Sequence, residues 1–260
     1  MHPILEAHNV SKSYRQKVAV DDFSLDVRPG TVHGLLGPNG SGKTTCLHII
    51  TGLLTPDSGV VSISGIPIES KASRHLIGFA PDDLPLPGSL TGREYLAFHD
   101  GMRRRNDEDR ARRLAVALGM AADFDTLIGE YSHGMKRKIQ VIAALMHEPQ
   151  VLVLDEPFRG LDPDAASVLK VTIEAFARSG RAVLIATHDM IRAQRDCDLV
   201  TVVNNGRTVA KGTPSALIEN TAGAHTLEDV FLTVTGLARD NETRLRSITT
   251  MFTQLQEEMT

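Results

Sequence analysis

Apolar and polar residues take turns along the first thirty positions. Ile4, Val10, Phe23, Leu25 and Val27 sit in short alternating stretches that predict half-buried strands, and Arg28-Pro29-Gly30 supplies a turn. Val32 to Leu36 is apolar and runs into a glycine-rich loop, after which Lys43 to about Leu53 predicts a helix. Gly59 to Gly65 reads as another strand bounded by glycines. From about Leu90 to His147 the pattern is helical, with Ile139, Ile142, Ala143 and Met146 on one face. Val151–Leu154 and Ala182–Ala186 are apolar without alternation, as in strands covered on both faces of a parallel sheet. Strands and helices alternating in this way predict a doubly wound α/β core.

Beyond Gly236 the character changes. Leu245, Ile248, Phe252, Leu255 and Met259 recur at three- and four-residue spacings, a stripe on a helix. The stripe covers about two heptads, short of the ~3–4 that define a coiled coil. It is expected either to pack back on its own domain or to pair with a second copy or a membrane partner.

Composition narrows the function classes. With 260 residues, 42% hydrophobic and 23% charged, the chain has the make-up of one large α/β domain with a small appendage. A net charge of −4 is not that of a nucleic-acid binder, and the charged run Arg103 to Arg110 mixes both signs, as a solvated surface does. No nucleic-acid partner is expected. No secretory signal is expected either, and no apolar run reaches the ~18 residues of a membrane span, so any membrane role falls to a partner. Two cysteines, Cys46 and Cys197, are too few for a disulfide framework and read as small buried hydrophobes.

The chemistry begins at Gly37-Pro38-Asn39-Gly40-Ser41-Gly42-Lys43-Thr44-Thr45, which fits the phosphate-loop pattern G-x-x-x-x-G-K-[ST] between a strand and a helix. Its glycines allow backbone N–H groups to close around a triphosphate, and the helix starting near Gly42 adds partial positive charge. Lys43 is placed to reach the β- and γ-phosphates, and the Thr44 hydroxyl to ligate Mg²⁺.

Further along, Val151-Leu152-Val153-Leu154-Asp155-Glu156 is an apolar strand tipped by two carboxylates. Asp155 is a hard oxygen ligand suited to Mg²⁺, and Glu156, one residue on, is the candidate general base for an attacking water. Ser132 in Tyr131-Ser132-His133-Gly134-Met135 reads as a helix N-cap, and a Ser-x-Gly helix entrance also suits an anion. His188 follows a second apolar strand, at the edge where α/β sites gather, and its position favours contact with the γ-phosphate.

In this order, with Gly160-Leu161-Asp162 between the acid-tipped strand and Thr187-His188, the motifs resemble those of the nucleotide-binding subunit of an ABC transporter, from residue 1 to about 236. The resemblance implies a phosphate-loop NTPase core with a parallel sheet, an N-terminal antiparallel β subdomain, a helical subdomain over about 88–147, and a C-terminal helical extension over 237–260. It implies that Tyr14 stacks on adenine, that Ser132 and Gly134 bind the γ-phosphate of ATP held by an opposite subunit, and that Asp162 lies between the two sites. One chain carries one phosphate loop and one signature. Two cassettes, identical or not, are therefore expected to sandwich two ATP molecules and to drive a membrane permease on a separate chain, from the inner face of a bacterial membrane.

Two departures mark this chain. The family's usual Leu-Ser-Gly-Gly-Gln signature is here Tyr131-Ser132-His133-Gly134-Met135, which is similar to a variant of drug-efflux cassettes. Asp82 stands where a Gln usually reaches Mg²⁺ and water, with Asp83 as the alternative occupant. The segment Thr226 to Gly236 resembles the closing helix of drug, antibiotic and lipid export cassettes. The expected function is the ATPase of an exporter. An importer motor, a nucleotide-gated binding module and a non-transport ABC ATPase stand as alternatives. Leu84, Pro85, Leu86, Pro87 and Leu90 are expected either to offer an apolar docking surface to the permease or to form an ordinary surface loop.

Overall fold

The alternating N-terminal stretches form an antiparallel sheet of their own. In the computed structural model, which describes residues 2–15, 17–82, 85–103 and 107–237, β1 (Leu5–Tyr14) lies between β2 (Lys17–Val27) and β4 (Ser58–Ile63), and β5 (Ile66–Pro67) completes the sheet. The stripe from Leu245 to Met259, together with Asp83, Leu84 and residues 104–106, falls outside the described residues.

The second sheet contains β3 (Val32–Leu36), β6 (Ile77–Ala80), β7 (Val151–Asp155), β8 (Ala182–Thr187), β9 (Leu199–Asn204) and β10 (Arg207–Gly212), in the order β10-β9-β3-β8-β7-β6. The strands from β9 to β6 run parallel, as the unbroken apolar runs predicted. The edge strand β10 is antiparallel to β9, a departure from an all-parallel sheet. Asn205 and Gly206 explain it: both have positive φ, 49° and 79°, the two-residue turn that returns a strand directly against its neighbour.

Between the strands run α1 (Lys43–Ile50), α2 (Gly92–Arg103), α3 (Glu108–Ala117), α4 (His133–Leu145), α5 (Pro163–Arg178), α6 (Met190–Asp196), α7 (Pro214–Asn220) and α8 (Leu227–Thr235). The first helix stops three residues before the expected Leu53. Thr51 caps it through its N–H to the Leu47 carbonyl, and Gly52 then turns the chain out at φ +71°. The helical insert is α2 to α4.

Because successive side chains on a strand point to opposite faces, the parallel strands feed two cores. Val151, Val153, Leu184 and Leu35 pack with the antiparallel sheet and α1. Leu152, Leu154, Val183 and Ile185 pack with α4, α5 and the helical insert, including Ile139, Ile142, Ala143 and Met146. Each such fully buried Leu or Val contributes roughly 1.5–3 kcal/mol of transfer free energy. A third cluster joins α6 and α8 to β9 through Leu227, Val230, Phe231 and Val200. The sheet register then assembles the site: Leu36 pairs with Thr187, Asp155 with Ala186, and Ala80 with Leu154. The phosphate loop, Asp82, Asp155, Glu156 and His188 all emerge at one edge.

Candidate functional site

Backbone geometry shapes the phosphate loop. Gly40 and Gly42 have φ of +81° and +106°, and a Cβ on Gly42 would run into the Ala19 carbonyl. Gly37 is closed in the same way by Ser41 and the Val203 carbonyl. The loop lines a cleft of about 300 Å³ with Tyr14, Lys17, Ala19, Asn39, Gly40, Gly42, Lys43, Thr44 and Thr45. Tyr14, about half exposed at the end of β1, is therefore brought to the same cleft as the loop. Ser41 Oγ is buried without a hydrogen-bond partner among the described residues. A buried orphan hydroxyl and glycine-only turns both fit an anion that would lie against this backbone.

Lys43 is buried, and its ammonium donates to the Gly37 and Pro38 carbonyls at 2.6 and 3.2 Å. Burial holds its pKa below the usual lysine value, and the charges of Glu156 and Asp155 work against that shift. Asp155 ends β7 almost fully buried. Desolvation, with Asp82 and Glu156 nearby, pushes its carboxyl up to about 6 against the pull of Lys43 and Arg137. A crowded set of hard oxygens of this kind suits a divalent cation, with Thr44 and Asp155 the residues to hold it.

Glu156 adopts the left-handed region at φ +45°. Both oxygens of its carboxylate are held: Thr187 Oγ1 donates to Oε2 at 2.9 Å, the His188 N–H donates to Oε1 at 3.0 Å, and His188 Nδ1 lies 2.7 Å from Oε1. The two candidate catalytic side chains are thus brought together, and His188 meets Glu156 through Nδ1, with its side chain more than half exposed.

Asp82 is placed differently from a free metal ligand. Its Oδ1 accepts from Arg137 at 3.1 Å and its Oδ2 from Arg159 at 2.7 Å, so a cation held by Asp82 would share each oxygen with an arginine. Neither arginine stood out in the sequence. Arg137 lies among the apolar positions of α4 with Gln140 three residues on, a weak cue to a buried polar pair.

Ser132 is the N-cap of α4, its hydroxyl accepting from the Met135 N–H at 3.2 Å. A Cβ on Gly134 would make only ordinary contacts, the nearest 3.6 Å from Ala165, so packing alone does not require glycine there. Asp162 is the N-cap of α5, Oδ1 accepting from Ala165 N–H at 2.7 Å, a role that the following Pro163 advertises. Ser132, Gly134 and Asp162 do not line the cleft of the phosphate loop. They sit together, around the start of α4 and α5.

Several other expectations meet the structure here. Burial pushes both thiols up to about 12, Cys46 fully buried and Cys197 half-buried, so both stay protonated. Leu86 packs against the larger core, while Pro85 and Pro87 are exposed. On the antiparallel sheet the Glu6–Asp26 register brings Glu6, His8 and Asp26 within 4.8 Å of one another, a grouping invisible in sequence spacing. Asp26 there faces Lys211 at 3.4 Å. Among the described residues no helix is long and apolar enough to cross a membrane.

Comparison with known proteins settles the family. The model of the ABC transporter family matches residues 20–159, from β2 through the phosphate loop to the acid-tipped strand. This chain belongs to the ABC transporter family. It is an ATP-binding cassette and an ATPase, the ATP-binding subunit of a transporter. The cassette is 38% identical over 229 residues to the Nod factor export ATP-binding protein I of Burkholderia orbicola, covering 86% of this chain and 75% of that one. It is 36% identical to the protein of the same name from Sinorhizobium fredii, covering 86% and 67%. Among solved structures it superimposes on an ATP-binding subunit of an ABC transporter with a TM-score of 0.82 and 28% identity, over 89% of this chain and 99% of that one.

Proposed function

We propose that this cassette is the motor of an exporter, working as one of two cassettes on a separate membrane permease at the inner face of a bacterial membrane. The name borne by the Burkholderia and Sinorhizobium relatives supports export over import. The observation that carries the two-cassette reading is the separation within one chain. The phosphate-loop cleft is lined by Tyr14 and the loop, while Ser132 and Gly134 open elsewhere, at the start of α4. A second subunit would bring its own Ser132 and Gly134 to the γ-phosphate.

In this reading the loop N–H groups and Lys43 bind the phosphates of ATP, Tyr14 stacks on the adenine, and Asn39 and Thr45 complete the cradle. Thr44 and Asp155 would hold Mg²⁺, which when bound neutralises charge building on the β- and γ-phosphate oxygens. Glu156 takes a proton from the attacking water. His188, already 2.7 Å from that carboxylate, orients it and faces the γ-phosphate with its free edge. Asp162 lies where the two cassettes meet. The pairing of Glu156 with His188 favours a hydrolysing motor over a nucleotide-gated binding module.

The experiment is steady-state ATPase of the purified chain beside Glu156→Gln, with ATP-dependent dimerisation followed by light scattering. Mg²⁺-dependent turnover by the wild type and an ATP-trapped dimer of the mutant are expected. A mutant that hydrolyses ATP as fast as the wild type would overturn the assignment of Glu156.

A further inference from the structure

Arg137 is 3% exposed and joins two segments that are far apart in sequence, Pro81-Asp82 and Glu156. One terminal nitrogen donates to the Pro81 carbonyl at 2.8 Å. The other donates to Asp82 Oδ1 at 3.1 Å and to the Glu156 carbonyl at 3.2 Å. Asp82 Oδ2 in turn takes Arg159 at 2.7 Å. The Arg159 carbonyl faces His133 Nε2 at 3.2 Å, and a Cβ on Gly160 would press on that imidazole at 3.1 Å.

Burying a guanidinium is unfavourable unless its donors are met, and here carbonyls and a carboxylate meet them. The acceptor that matters for hydrolysis is the Glu156 carbonyl. A glutamate in the left-handed region is held there only by its surroundings. Glu156 is pinned on both sides, its N–H to the Ala186 carbonyl at 2.8 Å and its C=O to Arg137. That conformation turns its side chain toward Thr187 and His188.

We propose that Arg137 is a positioning residue for ATP hydrolysis: it clamps the backbone of Glu156 to Asp82 and to α4, with Arg159 as the second arm on Asp82. The clamp rests on the reading of Glu156 as the base. Asp82 then works through its arginines, and any displacement of its segment is passed to Glu156 and, through Arg159, to His133 in the signature. Lysine cannot replace Arg137, because a single ammonium nitrogen cannot span the Pro81 carbonyl on one side and the Asp82 and Glu156 oxygens on the other, as the two terminal guanidinium nitrogens do.

The test uses the full chain as wild type, Arg137→Gln, Arg137→Lys and Arg159→Gln, with two readouts. Amide hydrogen exchange of nucleotide-free protein is measured on peptides spanning residues 154–160, and kcat and KM for ATP are measured in parallel. Arg137→Gln is expected to speed exchange in that segment by about tenfold or more, with little change elsewhere. It is expected to lower kcat by roughly 10–100-fold with KM within about threefold, because the phosphate-loop contacts are untouched. Arg137→Lys should recover little of either. Arg159→Gln, whose side chain is 65% exposed, should fold normally and lose kcat by about three- to tenfold. A folded Arg137→Gln with unchanged exchange at 154–160, or with kcat within about twofold of wild type, overturns the clamp. So does exchange that rises evenly across the domain, the mark of general destabilisation. Should Arg137→Gln not fold, Arg159→Gln decides: exchange and turnover both like wild type overturn the proposal. A Glu156→Gln variant that still hydrolyses ATP defeats the reading of Glu156 as base, while the exchange result judges the clamp separately.

Discussion

His188 Nδ1 lies 2.7 Å from Glu156 Oε1, although the two residues are 32 positions apart in the chain. The contact follows from the sheet. Asp155 is paired with Ala186, so the residue after β7 lies beside the last residue of β8 and the one that follows it, and the Thr187 hydroxyl and His188 N–H complete the hold on the carboxylate. Orientation of the candidate base is set by rigid strands, the placement that gives catalytic groups their precision.

Glu156→Gln removes the proposed base while leaving an isosteric side chain beside Thr187 and His188. Turnover is expected to fall by at least ~100-fold, with ATP binding retained and a closed ATP-bound dimer accumulating. Phosphate release and light scattering on the same preparation read both effects.

Lys43→Ala removes the charge proposed to face the phosphates and also the ammonium that donates to the Gly37 and Pro38 carbonyls. Affinity for ATP is expected to drop by about tenfold or more, with turnover lost. Isothermal titration with a non-hydrolysable ATP analogue measures it, and unchanged affinity would remove Lys43 from the site.

His33 is fully buried, with Nε2 2.9 Å from Thr201 Oγ1, and burial followed by the charge of Lys211 lowers its pKa to about 4. In the unfolded chain it titrates near 6.5, so between pH 6.5 and 4 the unfolded state binds the proton and the native state does not. Stability is therefore full above that window and lost as pH falls through it, by up to about 3 kcal/mol. Urea unfolding at pH 7.5 and 5 is expected to show a smaller pH-dependent loss in His33→Gln than in wild type.

Thr226 caps α8 in a reciprocal box: its hydroxyl accepts from the Asp229 N–H at 3.2 Å, and Asp229 Oδ2 accepts from the Thr226 N–H at 2.9 Å. Thr226→Ala is expected to lower stability by about 1 kcal/mol without altering basal ATPase. Denaturant titration, with ATPase as control, checks both halves.

Local signals carried much of the fold. The unbroken apolar runs at Val151 and Ala182 announced buried parallel strands, the glycines of the phosphate loop announced its turns, and Ser132 announced the start of α4. Each depends on preferences that a residue expresses within a few neighbours: side-chain period, allowed φ, a capping oxygen. The Asn205-Gly206 turn and the Asp162-Pro163 helix start carried equally local signals, and both are as legible once read for backbone conformation.

By itself the sequence determined the alternation of strands and helices, the phosphate loop and the carboxylates at and just after the end of β7, because these rest on short-range chemistry. Only the tertiary structure decided what the long polar side chains touch. Asp82 is 55 residues from Arg137 and 77 from Arg159, yet both of its oxygens are taken by them. Buried His33 finds Thr201 across 168 residues. No periodicity encodes such pairings. They form because packing brings together segments whose buried charges and hydrogen-bonding groups must find partners or lose more free energy than the fold can spare.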